Sequence, residues 1–239
     1  SSSSVVLTGN SIAGNRSYAR WLGIPEKQIY LLRNGINRPA YKIASVQEMD
    51  AVREYLDFSE NSIVIGGIFR LSAEKRPELF IDVFQKVLSA NSSVRGFIIG
   101  VGPLQSSMSD MLKNYGLEQH LKLVGTVQEV SPYIATATLI LQTSVAEGTA
   151  NSILESQFLG TPVIATTAGG ACESVSHGET GYLVDSDDPE IIAAMVIDLL
   201  GDKTKLKRMG QAGTSFINRN FSLENATSTL IKLSEQYAQ

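Results

Sequence analysis

Residues 138–160 read Thr-Leu-Ile-Leu-Gln-Thr-Ser-Val-Ala-Glu-Gly-Thr-Ala-Asn-Ser-Ile-Leu-Glu-Ser-Gln-Phe-Leu-Gly. The apolar run at 138–143 is the length of a buried strand. Residues 150–159 place Ile153, Leu154, Phe158 and Leu159 on one helical face that stops at Gly160. Strand, loop and helix in that order are the repeating unit of an α/β sheet. Asn151 and Ser152 are N-cap candidates, and Ser152 with Glu155 has capping-box spacing. A helix starting near 149–152 leaves Glu147 on the preceding loop and Glu155 about one turn inside. Its free N–H groups and the positive end of its dipole attract phosphate.

Carboxylates touching a phosphate would repel it, so Glu147 and Glu155 are expected to accept hydrogen bonds from neutral hydroxyls on either side. A sugar on one side and a ribose on the other would fit.

Outward from this unit the same alternation repeats. Apolar runs predict strands at 63–69, 94–100, 121–125, 138–143, 162–166 and 181–184, with helices at 77–89, 104–115, 130–135, 150–159 and 170–175 between them. The expectation is a doubly wound, Rossmann-like parallel sheet of the α/β class. Three helical segments follow without an intervening strand, at 189–200, 203–218 and 223–237. Before the sheet, 4–8, 11–22 and 28–32 read as a β-α-β remnant. The turn-rich run 33–39 reads as a linker, and 46–56 can be helical.

The chain has 239 residues, 43% of them hydrophobic, which is ample for a packed core. Its net charge of −4 comes from interspersed residues, and no basic block predicts a nucleic-acid partner. Cys172 is alone, which excludes an internal disulfide framework and agrees with a reducing, cytoplasmic setting. It reads as a small buried residue. No apolar run approaches the roughly 20 residues of a membrane span. The chain opens at Ser1 on what reads as a strand in mid-domain, so a piece of a longer protein is expected.

Ligands of open parallel sheets bind beyond the carboxyl ends of the strands. The loops there carry Arg70, Ser72, Glu74, Lys75 and Arg76; Gly100-Val101-Gly102-Pro103; Gly125-Thr126-Val127-Gln128-Glu129; the stretch around Glu147; and Thr166-Thr167-Ala168-Gly169-Gly170. Cations, glycines, a helix N-terminus and two carboxylates on one edge suit a nucleotide diphosphate carrying a sugar.

These residues resemble the family 4 glycosyltransferases, retaining enzymes of the GT-B fold. Glu147 and Glu155 match the E-x7-E signature. Glu147-Gly148 and Leu154-Glu155-Ser156 lead into Gly160-Thr161-Pro162-Val163-Ile164-Ala165, Gly169-Gly170, Glu173 and Gly181-Tyr182-Leu183-Val184. Asn34-Gly35-Ile36-Asn37 is similar to the interdomain segment, Arg70-Leu71-Ser72-Ala73-Glu74-Lys75 to the donor-phosphate loop, and Gly100-Val101-Gly102-Pro103 to the second strand-loop. The ordered set spans nearly residues 30–185.

The resemblance implies the C-terminal half of a GT-B enzyme. Residues 1–37 would be the tail of the acceptor domain with the interdomain linker, 38–222 the nucleotide-sugar domain, and 223–239 a helix packing back toward the acceptor domain. Arg70 and Lys75 would neutralise the diphosphate as it leaves, and Glu147 would hold a hydroxyl of the transferred sugar. Donor binding would further involve Glu155 on the ribose, the backbone of Gly148, Thr149, Ala150, Asn151 and Ser152 on the phosphates, Gly102, and Val124, Gly125 and Val127 beside the base. The implied donor is a UDP-sugar and the acceptor a glycan or lipid-linked hydroxyl, in polysaccharide or glycan synthesis. No metal or tightly bound cofactor is expected, because Arg70, Lys75 and the helix terminus supply the positive charge. Peripheral membrane association would reside in the missing domain, and the fragment alone should bind nucleotide yet transfer poorly. Thr149-Ala150-Asn151 departs from the aromatic or glycine-rich run frequent in the family, so the sugar is left open.

Other readings of the same residues are simpler. The Glu147/Glu155 pair could be a solvated helix face, and Arg70 and Lys75 surface charges. Gly100-Val101-Gly102 is no dinucleotide fingerprint, since Gln105 replaces its third glycine. Glu173 could cap a helix or touch ligand, and His120 and His177 lack partners at metal or triad spacing. A nucleotide-sugar epimerase of the same fold and a non-catalytic nucleotide-binding module remain as rivals.

Overall fold

A computed structural model describes residues 5–38 and 41–237. Ser4 of the first expected strand and Pro39 of the expected linker lie outside them. Strand β1 (Leu7–Gly9), helix α1 (Ile12–Leu22) and strand β2 (Ile29–Leu31) form a small parallel unit with Leu7 opposite Ile29. Strand β1 ends later than expected from the sequence because the Gly9 carbonyl still accepts the Leu32 N–H at 2.9 Å. Ser11 caps α1 by accepting the Gly14 N–H at 3.0 Å.

After helix α2 (Val46–Leu56) come strands β3 (Ile63–Ile68), β4 (Val94–Ile99), β5 (Leu121–Gly125), β6 (Leu139–Gln142), β7 (Val163–Thr166) and β8 (Gly181–Val184). Between them lie helices α3 (Pro77–Ala90), α4 (Gln105–Asn114), α5 (Ser131–Thr136), α6 (Asn151–Phe158) and α7 (Ala171–Ser174). Helices α8 (Pro189–Leu200), α9 (Lys203–Asn220) and α10 (Leu223–Tyr237) follow. Every neighbouring strand pair is parallel and the order is β5-β4-β3-β6-β7-β8, a doubly wound α/β sheet.

The strands are apolar on both faces because helices cover both. Successive side chains alternate sides: Ile65, Ile98, Leu139, Leu141 and Ile164 enter a core with Phe80, Phe84, Met108 and Val196 from α3, α4 and α8. Val64, Phe97, Ile99, Ile140 and Val163 enter a second core with Val52, Leu56 and Ile153 from α2 and α6. A third, smaller cluster joins Ile36 to Leu154, Ile217 and Phe221. There the Ile36 N–H donates to the Phe221 carbonyl at 2.7 Å, tying the segment after β2 to the α9–α10 junction. Helix α10 buries none of its own residues, and its last described residue, Tyr237, meets Tyr30 of β2 edge-to-face at 5.7 Å.

Two local expectations are corrected. The N-cap of α6 is Ala150 and no side chain caps it, so neither Asn151 nor Ser152 caps the helix and the Ser152/Glu155 capping box does not form. The helix begins at Asn151, which puts both residues inside its first turn; Asn151 Oδ1 instead accepts from Asn34 Nδ2 at 2.7 Å. Cys172 is exposed rather than buried, since the single turn of α7 turns Ala171 and Ser174 inward.

Candidate functional site

The strand order reverses between β3 and β6, the switch point whose crevice beyond the strand ends takes the ligands of open α/β sheets. Those loops are stitched together at their bases. The Val145 N–H donates to the Glu74 carbonyl at 2.9 Å, and the Thr143 hydroxyl lies 3.0 Å from the carbonyls of Lys75 and Arg76. Arg76, in the left-handed region at φ 50°, donates from Nε to the Thr143 carbonyl at 2.6 Å and from a terminal nitrogen to the Ser144 carbonyl at 3.2 Å. Its other terminal nitrogen pairs with Asp187.

Above this base Lys75, at the end of the 3-10 turn Ala73–Lys75, places Nζ 2.6 Å from Glu147 Oε1. The same oxygen accepts from Ser144 Oγ at 2.6 Å and lies 3.4 Å from Gln142 Nε2. The Glu147 side chain is only 7% exposed, so this carboxylate is held in place and compensated by a cation from the opposite loop. Its backbone is fixed too. Gly170 donates to the Glu147 carbonyl at 3.0 Å, and Gly169, at φ 50°, comes so close that an added Cβ would lie 2.3 Å from that oxygen.

The uncapped N-terminus of α6 opens beside Glu147. Gln142 Nε2 lies 3.4 Å from Ser152 Oγ, which links the strand end, Glu147 and the first helical turn. Thr149 is engaged by the segment after β1: its N–H donates to Asn10 Oδ1 at 3.2 Å and its hydroxyl to the Asn10 carbonyl at 2.7 Å. The Thr149 N–H is therefore already committed within the 148–152 run. Glu155 lies a turn further on, where Tyr41 donates to Oε1 at 2.8 Å. Burial, then that hydrogen bond and the carboxylate charge, push the Tyr41 hydroxyl well above the ordinary phenol value.

Arg70 stands exposed at the end of β3. Beside it the Glu74 carboxyl is held below its usual range, first by the Ser72 hydroxyl at 2.6 Å and then by its own N–H and the charges of Lys75 and Arg70. Gly102 is required by its own chain, since an added Cβ would lie 2.3 Å from the Leu71 carbonyl oxygen. Val124 and Val127 pack against the second core at the end of β5, with Gly125 between them at φ 79°. Strand β5 is two places from β3, roughly 10 Å across the sheet.

The structure thus brings Lys75, Glu147 and Ser152 together, sets Glu155 one turn deeper, and leaves Arg70, Gly102 and the Val124–Val127 segment along the rim. Asn10, Tyr41 and Gln142 were missed in the sequence, and Asn34 and Ser144 were quoted there without their contacts. Only Gln142 carried a visible signal, as a polar residue ending an otherwise apolar strand. Glu173 resolves as a capping group for another element: Oε1 accepts the Ala13 N–H of α1 at 3.0 Å, and Oε2 lies 3.0 Å from Arg33, itself 5.3 Å over the Phe221 ring. His177 Nδ1 accepts the Leu183 N–H at 3.0 Å. A cleft of about 940 Å³ separates α1 and β1 from the Glu147 loop, with Asn10, Trp21, Leu32, Val145 and Gly169 among its walls.

Comparison with known proteins bears on the family and the fold. The family described as glycosyl transferases group 1 matches over residues 48–216. The Vi polysaccharide biosynthesis protein VipC/TviE of Salmonella typhi is 25% identical over 95% of this chain and 40% of its own length. N-acetyl-alpha-D-glucosaminyl L-malate synthase of Bacillus anthracis is 26% identical over 85% of this chain and 52% of its own. The chain thus spans about half the length of these relatives. Among solved structures, Anabaena Alr3699/HepE, crystallised with UDP and glucose, superposes with a TM-score of 0.87 at 23% identity, covering 97% of this chain and 63% of that one. With its Rossmann-like sheet and the family match across both strand-end loops, the chain belongs to the group 1 glycosyltransferases of GT-B fold.

Proposed function

We propose that this chain is the nucleotide-sugar half of a retaining, family 4 glycosyltransferase that moves a sugar from UDP to a glycan or lipid-linked hydroxyl in the cytoplasm. The observation that carries the reading is the Lys75–Glu147 pair across the β3/β6 switch point, beside an uncapped helix N-terminus. A diphosphate lying along that edge meets the N–H groups of α6, Lys75 and Arg70. As the bond between the anomeric carbon and the phosphate oxygen breaks, charge grows on the leaving diphosphate, and those groups stabilise it most at that moment. Glu155 then accepts from ribose hydroxyls and Glu147 from a sugar hydroxyl, while Val124, Gly125 and Val127 border the base. A tightly bound metal or other cofactor has no role in this reading.

Residues 1–37 belong, on this reading, to the acceptor side and its linker, residues 38–222 to the donor domain, and residues 223–239 to a helix returning to the acceptor side. UDP as the carrier is supported by the Anabaena structure, solved with UDP and glucose. The experiment is calorimetric titration of UDP into the chain and its Lys75→Ala variant. A loss of at least about tenfold in the variant is expected, as for a charge-assisted hydrogen bond. Equal affinities would contradict the assignment. Retention is tested on the full-length enzyme by the anomeric proton coupling of the product.

A further inference from the structure

The carboxylate of Glu147 is held from one side only. Lys75 Nζ, Ser144 Oγ and Gln142 Nε2 all converge on Oε1, at 2.6, 2.6 and 3.4 Å, and none of the hydrogen bonds among the described residues reaches Oε2. Two of the three donors belong to the floor of the crevice. Gln142 is 2% exposed and Ser144 1%, so neither has water as an alternative partner. The Gln142 amide is fully committed on its nitrogen side, between Glu147 and Ser152, and its own oxygen is buried without a partner. An amide turned over would set oxygen against the carboxylate, so the charge of Glu147 fixes the observed orientation at the cost of that unpartnered oxygen.

Ser144 is fixed as firmly. Its carbonyl accepts from Thr166 Oγ1 at 2.5 Å and from Arg76 at 3.2 Å, which pins the backbone from which its hydroxyl reaches Glu147. A glutamate 7% exposed could be replaced by an apolar side chain, and the three donors would then have no purpose.

We infer that Ser144 and Gln142 are positioning residues that lock Glu147 so that only Oε2 faces the ligand, making recognition of the donor sugar depend on a single oriented acceptor. The inference rests on the proposed donor site and deepens it. Lys75 is shared between Glu147 and the diphosphate, so when phosphate draws Lys75 away the two neutral donors keep Oε1 in place. Sugar selectivity then resides in the strand end of β6 as well as in the glutamate itself.

The test separates sugar recognition from nucleotide binding. UDP, UDP-glucose, UDP-N-acetylglucosamine, GDP and GDP-mannose are titrated calorimetrically into the chain and into Ser144→Ala and Gln142→Met, with thermal unfolding confirming that each variant is folded. For the nucleotide sugar bound most tightly, the wild-type preference over its own nucleoside diphosphate is expected to shrink by roughly tenfold in Ser144→Ala and by less in Gln142→Met. Affinity for the bare diphosphate should stay within about twofold. A variant that unfolds, or that weakens diphosphate and nucleotide sugar equally, overturns the inference and leaves a purely structural role. Wild-type binding of diphosphate with no added affinity from any of these sugars also overturns it while sparing the nucleotide site. No binding of any nucleotide overturns the inference together with the reading on which it rests.

Discussion

The Tyr41 hydroxyl donates to Glu155 Oε1 across 2.8 Å, although 114 residues separate the two in the chain. None of the hydrogen bonds among the described residues reaches Oε2 of Glu155, and Tyr41 also meets Phe158 edge-to-face at 5.9 Å, so both ends of the tyrosine are engaged. Tyr41→Phe keeps the ring contact and removes the donor. If Glu155 takes the ribose, UDP affinity should fall about three- to tenfold in this variant while 2′,3′-dideoxy-UDP loses nothing, since Tyr41 reaches the ribose only by orienting Glu155 and just part of the about 1.5–3 kcal/mol of a bond to a charged group is felt in binding. An equal loss for both ligands would detach Glu155 from the ribose.

The same pair gives a pH dependence. Folding raises the Tyr41 hydroxyl above its ordinary value of about 10. Between the unfolded value and the higher folded one, the native state holds a proton that the unfolded chain has lost, so stability is fully present below about pH 10 and falls as pH rises. Denaturant melts from pH 8.5 to 11.5 should therefore show a steeper alkaline loss for the wild type than for Tyr41→Phe.

Arg76 is the strap under the crevice. It satisfies two carbonyls at the end of β6, and its side chain is 18% exposed, whereas its acidic partner Asp187 is 80% exposed. Arg76→Ala removes the side-chain donor of the Thr143 carbonyl, leaves the Ser144 carbonyl with Thr166 Oγ1 alone, and should destabilise the chain by about 1–3 kcal/mol in urea unfolding. Arg76→Lys recovers only part of this, because an ammonium cannot reproduce the fork. Asp187→Ala should cost about 0.5 kcal/mol or less, as exposed ion pairs do.

Glu173 joins the β1–α1–β2 unit to the sheet by accepting the Ala13 N–H and pairing with Arg33. Glu173→Ala should raise amide exchange through the first turn of α1 while the amides of β3 and β4 keep their protection. Stability of that unit should drop by about 1–2 kcal/mol. Unchanged exchange at α1 would show that the carboxylate does not hold the unit.

Most of the sheet was legible because parallel strands buried on both faces read as short apolar runs, and each here is followed by a periodic helix. The strands at 121–125 and 181–184 were placed to the residue. Local chemistry was less legible. The Ser152/Glu155 spacing promised a capping box, but partners from afar, Asn34 for Asn151 and Asn10 for Thr149, let the helix begin at Asn151 without a side-chain cap. The same limit hid Tyr41 and the partners of Glu173, because hydrogen bonds spanning more than 100 residues leave no periodic trace. Lys75 and Glu147 could be named from the loops they occupy, but their direct pairing at 2.6 Å could not.

The most direct test of the central claim, that nucleotide binds at the β3/β6 switch point, is amide hydrogen exchange of this chain with and without saturating UDP. The account predicts that amides within 70–76 and 144–155 slow by at least about tenfold while those of α9 and α10 are unchanged. Absence of UDP, GDP and ADP binding, or protection confined to segments away from those two loops, would contradict it.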